Sequence, residues 1–117
     1  MVSVGAIIIS TYPNEQSAVD IANRVVKTKL CACVNFSKMR SIYSWKDEIE
    51  DQQEFIAFFK TTKKASKKLK TEITRLHPYE VPEIVELRMT DVSSPYLHWL
   101  LESTNGKPKK RHNPSKR

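Results

Sequence analysis

At 117 residues the chain is long enough for one domain with a real core and too short for two. Its formal charge of +7 is unevenly placed: Lys107, Lys109, Lys110, Arg111, Lys116 and Arg117 put +6 into residues 105–117, which leaves +1 for residues 1–104. Composition therefore divides the chain into a near-neutral body, 1–104, and a basic tail, 105–117; it does not show a basic nucleic-acid-binding domain, and no apolar run approaches a membrane span.

Val2 to Ser10 is a continuous apolar run and reads as a strand covered on both faces. Pro13-Asn14-Glu15 is a turn with Asn14 as N-cap, and Ala18, Ile21, Ala22, Val25 and Val26 follow at helical spacing. Cys31 to Tyr43 is rich in strand formers, and Tyr43 and Trp45 close the run. Lys46 to Asp51 is charged and turn-like. Glu54 to Lys60 is a second strand apolar on both faces. Thr62 caps a lysine-rich helix that runs through Leu76, with Ala65, Leu69, Ile73 and Leu76 as its buried stripe. Ile84 to Thr90 is a strand, and Ser94-Pro95 opens a short final helix.

The predicted order is strand, helix, strand, strand, helix, strand, then a small helix: an α+β, ferredoxin-like split βαβ pattern. Two helices cover only one face of a four-stranded sheet, yet Ile7-Ile8-Ile9 and Phe55 to Phe59 are apolar on both. The second face is expected to meet other copies of the chain, as a homo-oligomer.

Several segments carry candidate chemistry. His77-Pro-Tyr-Glu-Val-Pro-Glu-Ile84 holds two prolines four residues apart, which rules out a continuing helix and pushes His77 and Val81 to extended geometry. This stiff connector reads either as a solvated turn or as a rim that fixes His77, Tyr79 and Glu80 at a site. Cys31 and Cys33 are too few and too close for a disulfide framework. They fit a reducing compartment and could offer thiolates to a soft ion such as Cu(I). A free buried cysteine is more often a small hydrophobe. His98 and His112 read as surface and tail residues. With only Gly5 and Gly106, the chain has no glycine-rich phosphate loop, and no enzyme activity is expected. Lys63, Lys64, Lys67, Lys68 and Lys70 read as a solvated helix face, or as a run that attracts anions at the helix N-terminus near Thr61 and Thr62. Lys107 to Arg111 is a basic arm, either a flexible terminus or a route to nucleic acid or a partner. No secretory pattern precedes Ser10, so the expected location is cytoplasmic.

Leu30-Cys-Ala-Cys-Val-Asn35, Ser41-Ile-Tyr43-Ser-Trp45, Phe59-Lys60-Thr61, the 77–84 octapeptide and Tyr96-Leu-x-Trp99-Leu100 occur in that order. Together they resemble the CutA divalent-cation-tolerance family over about residues 4 to 102. The resemblance implies a ferredoxin-like fold, a PII-like homotrimer and binding of copper or another divalent cation. Carried over by residue, the family's inter-subunit cleft falls on Cys33, Tyr43, Trp45, Glu54, Lys60, His77, Tyr79 and Glu80. His77 is the leading ligand candidate, with Cys33 and Cys31. A PII-like module binding a small anionic metabolite between subunits through Lys60 and the lysine-rich helix is the alternative it leaves open. The chain departs from the family pattern at Lys46-Asp47, where glycine is usual, and at Ser10, where some members carry cysteine.

Overall fold

The computed structural model describes residues 4–104. The chain runs β1 (Gly5–Tyr12), α1 (Glu15–Lys27), β2 (Cys33–Trp45), β3 (Glu48–Thr62), α2 (Lys63–Leu76), β4 (Val85–Arg88) and α3 (Ser94–Thr104). The strands form one antiparallel sheet in the order β2-β3-β1-β4, the split βαβ arrangement. The tail, 105–117, lies outside the described residues.

Local chemistry sets the element ends. Asn14 accepts from the Ser17 N–H at 2.9 Å and Thr62 from the Ala65 N–H at 3.3 Å, as the sequence predicts for both caps. α1 ends in a Schellman motif: Leu30 N–H donates to Val25 O (3.0 Å) and Lys29 N–H to Val26 O (3.1 Å). That motif needs a left-handed residue, and Lys29 supplies it at φ 64°. Lys46 and Asp47 are also left-handed, at φ 50° and 67°, so β2 and β3 are joined by a two-residue hairpin with both central residues at positive φ. The turn survives without glycine. The charged run 46–51 is thus mostly strand: β3 begins at Glu48, six residues before the expected Glu54. The reason is cross-strand pairing, which extends from Cys33↔Lys60 to Trp45↔Glu48 and overrides the polar character of Glu50 to Gln53.

Alternation splits the sheet's side chains cleanly. Ala6, Ile8 and Tyr12 of β1, with Ala57 and Phe59 of β3, face α1 and α2 and are fully buried among Ala18, Val25, Leu69 and Ile73. The opposite face carries Ile7, Ile9, Ile56 and Phe58, only half-buried, with Val85 and Leu87 at its edge, 43% and 47% exposed. Part of this need is met within the chain. α3 packs on β3, its Leu100 is fully buried outside the main core, and Thr104 Oγ1 reaches Thr62 Oγ1 at 3.5 Å. The expectation that this face is left wholly to other copies of the chain is corrected to that extent.

β1 pairs with β3 only as far as Tyr12↔Phe55, so Met39 to Glu54 project as a bare two-stranded ribbon. The ribbon leaves Ile42 65% and Ile49 74% exposed, and Tyr43 and Trp45 also face outward. A lone ribbon of this kind is marginally stable in water. It is tied by Arg40, whose Nε and guanidinium donate to both Asp51 oxygens at 2.8 and 2.6 Å.

An L-residue at a left-handed position carries a steric cost of about 1–2 kcal/mol, which glycine escapes. Lys29→Gly should therefore raise stability by roughly 1 kcal/mol, read as a higher denaturant midpoint at fixed protein concentration. A lower midpoint would mean that the lysine side chain contributes contacts that outweigh the backbone.

Candidate cleft around His77

α2 stops at His77 because Pro78 follows: His77 is its C-cap, extended at φ −71°, ψ 137°. This turns the imidazole back onto the end of β1. Its Nε2 lies 2.8 Å from Thr11 O, a carbonyl that can only accept, so Nε2 carries the proton. Nδ1 in turn accepts from the Tyr79 N–H at 3.0 Å. The two bonds fix a neutral tautomer. The ring stacks on Tyr12, with centroids 4.5 Å apart and planes at 18°, and meets the Tyr79 ring at 5.1 Å. Burial holds the His77 pKa below the ordinary imidazole value; the bond to Thr11 O and the charge of Glu54 oppose the shift.

Tyr79 links this histidine to the sheet. Its hydroxyl donates to Glu54 Oε2 at 2.5 Å, a short charge-assisted bond. Burial first, then that bond and the carboxylate's charge, push the phenol above its usual range, so it stays protonated. Glu54 is 5% exposed, deep for a carboxylate, and sits where the ribbon leaves the sheet. Tyr43 lies within the field of Glu54 and Glu50, and its pKa is raised, by desolvation first and then by those charges.

The other candidates are not gathered here within one chain. Cys31 precedes β2 and is not on the strand with Cys33. Its thiol is in the core, donating to Cys33 O (3.2 Å) and Lys60 O (3.3 Å), and burial pushes its pKa up to about 12. Cys33 is half-exposed, opposite Lys60 on the open face, with its Sγ 3.7 Å from Asn35 Oδ1. Lys60 Nζ donates to the same Asn35 oxygen. Trp45 lies at the ribbon tip under Lys46, and Glu80 is exposed on the connector. Among the described residues no three His, Cys, Asp or Glu side chains converge as a metal site. Sequence reasoning missed Thr11 and Tyr12, the two residues that orient His77. Thr11 acts through a backbone carbonyl, which leaves no side-chain signal, and Tyr12 reads as an ordinary strand aromatic.

The His77 shift fixes a pH dependence. The unfolded imidazole titrates near 6.5, whereas the folded one resists its proton. The contribution is therefore complete above about pH 6.5 and is lost as pH falls through that value toward the lower folded pKa. The thermal midpoint should drop between about pH 7.5 and about pH 5.5, and His77→Gln should flatten that slope. An equal drop in the variant would assign it to other groups.

Comparison with known proteins matches this architecture. The profile of the CutA1 divalent ion tolerance protein family fits residues 6–103. The chain is 42% identical over 97 residues to the divalent-cation tolerance protein CutA of Thermotoga maritima, covering 83% of this chain and 96% of that one. It superposes on the divalent cation tolerance protein of Thermus thermophilus with a TM-score of 0.81 at 42% identity, over 86% of this chain and 98% of the other. It superposes equally on the periplasmic divalent cation tolerance protein CutA of Archaeoglobus fulgidus, with TM-score 0.83 and 29% identity over 86% and 98% of the two chains. With the profile matching residues 6–103 and a relative 42% identical over 83% of the chain, the chain belongs to the CutA1 divalent ion tolerance protein family.

Proposed function

We propose that this chain is a non-catalytic, cytoplasmic subunit of a homotrimer that serves metal tolerance by binding copper or a similar divalent ion between subunits. The observation that carries the reading is the position of its donors. Cys33 lies on the sheet face that a second copy must cover, and His77 lies at the end of the same sheet, beside Glu54. Among the described residues a single chain gathers too few donors for a site, so this reading needs further donors from a second subunit. Cys33 is the more available donor: it is half-exposed and held only by a long contact to Asn35. His77 ligates through the Nδ1 lone pair, exchanging the bond it accepts from the Tyr79 N–H for the ion, while Nε2–H keeps donating to Thr11 O and orients the ring. Cys31, buried and protonated, supports Cys33 through its backbone carbonyl.

The engagement of both His77 nitrogens also favours a second reading, in which the histidine is structural and the cleft takes a small anionic ligand through Lys60. A thermal-shift screen of metals beside anionic metabolites separates the two, since a true ligand stabilises by mass action.

Calorimetric copper titration of the reduced, metal-free protein tests the first reading. Binding should weaken by at least about tenfold in both Cys33→Ser and His77→Ala. Unchanged affinity in both variants would contradict metal binding at this cleft.

A further inference from the structure

The near-neutral body conceals a charge asymmetry that the fold makes visible. Residues 14–30 and 62–77, the two helices with their flanking turns, hold nine lysines and arginines against three acids, net +6. The rest of residues 4–104 holds five against ten, net −5. A basic helical layer thus lies on an acidic remainder.

Ion pairs neutralise only part of this layer. Arg24 and Arg75 meet Glu72 at 3.2 and 2.9 Å, and Lys63 and Lys70 meet Glu86 at 3.4 and 2.7 Å. Lys27, Lys29, Lys64, Lys67 and Lys68 have no carboxylate partner among the described residues. They collect where the end of α1 lies beside the first half of α2. A groove of about 550 Å³ opens there, with Thr28 and Leu30 on one wall and Lys67, Lys68, Thr71 and Glu72 on the other, the Glu72 carboxylate being paired with Arg24 and Arg75. The first turn of α2 also has no acid. Lys63 and Lys64 stand at the positive end of the helix dipole, where a carboxylate would add about 0.3–1 kcal/mol. Local conflicts of this sort concentrate at functional surfaces.

We infer that the helical layer is a docking surface for the phosphate backbone of a nucleic-acid duplex, bound without regard to sequence. The inference does not depend on the metal reading. Phosphates complement a cluster of unpaired ammonium groups. Neither helix contains an aromatic residue, so the surface has no stacking platform for single-stranded bases. Its free cations are lysines, point charges that lack the planar fork with which arginine reads base edges. Only Val26 projects as a large exposed apolar side chain, so the layer lacks the hydrophobic face that seats a helix in a lipid surface.

The test uses the full chain with Lys107, Lys109, Lys110, Arg111, Lys116 and Arg117 changed to Gln, so that the tail does not mask the helices. Anisotropy of a labelled mixed-sequence DNA duplex is followed between about 50 and about 200 mM salt, with and without Lys64→Gln, Lys67→Gln and Lys68→Gln. Duplex binding should persist without the tail charges. The three helix substitutions should weaken it at least about tenfold at the lowest salt and flatten the log–log salt slope by roughly 2–3 per engaged subunit. No duplex binding by the tail-neutralised chain would overturn the proposal, and so would an unchanged affinity and slope in the helix variant. Binding to phosphatidylserine vesicles without binding to the duplex would overturn it in favour of a membrane surface.

Discussion

Ile7, Ile8 and Ile9 are consecutive in a strand, so alternation must send Ile8 to one face of the sheet and its neighbours to the other. The same holds for Phe58 and Phe59 on the adjacent strand. α1 and α2 bury Ile8 and Phe59 completely and leave Ile7, Ile9 and Phe58 part-covered. This two-sided apolar sheet is the constraint on which the rest of the molecule depends. α3 answers it at one end of β3. At the other end the ribbon of β2 and β3 runs past β1 with Ile42, Ile49, Tyr43 and Trp45 in the open. An apolar sheet face and a bare apolar ribbon in one chain are complementary needs, and the proposed assembly with further copies of the chain would satisfy both.

The cleft follows from where the sheet ends. β1 stops at Tyr12, the ribbon departs at Glu54, and α2 is stopped by Pro78, so three chain segments meet at one corner. His77, Tyr79 and Glu54 are the polar groups left there. Each is held by a specific bond: the imidazole between Thr11 O and the Tyr79 N–H, the phenol on the carboxylate. A half-buried neutral histidine next to a buried carboxylate is a place where adding a cation or a proton changes the energy appreciably.

Much of this was legible in the sequence, for definite reasons. Asn14 and Thr62 announce their helices because a cap is a local bond between near neighbours. The extended geometry of His77 is fixed by the proline that follows it. The two-sided strands are visible as unbroken apolar runs. What escaped was set by distant pairing. The strand character of Glu48 to Gln53 depends on partners in β2, and the separation of Cys31 from Cys33 depends on where β2 begins. Thr11 orients His77 with a main-chain oxygen 66 positions away, and no side chain records it. The charge asymmetry was hidden for a similar reason, because summing over the chain cancels a layer of +6 against a remainder of −5.

The helices lie on the sheet face opposite the one left open, so assembly through the open face leaves the basic layer turned outward. Everything proposed for the cleft depends on that assembly. The most direct test is the solution mass of the full chain by sedimentation equilibrium at micromolar concentration. The account predicts the mass of three chains of 13.5 kDa, held without a detectable monomer. A stable monomer at that concentration would mean that the open sheet face needs no partner, and the account of the cleft would fail with it.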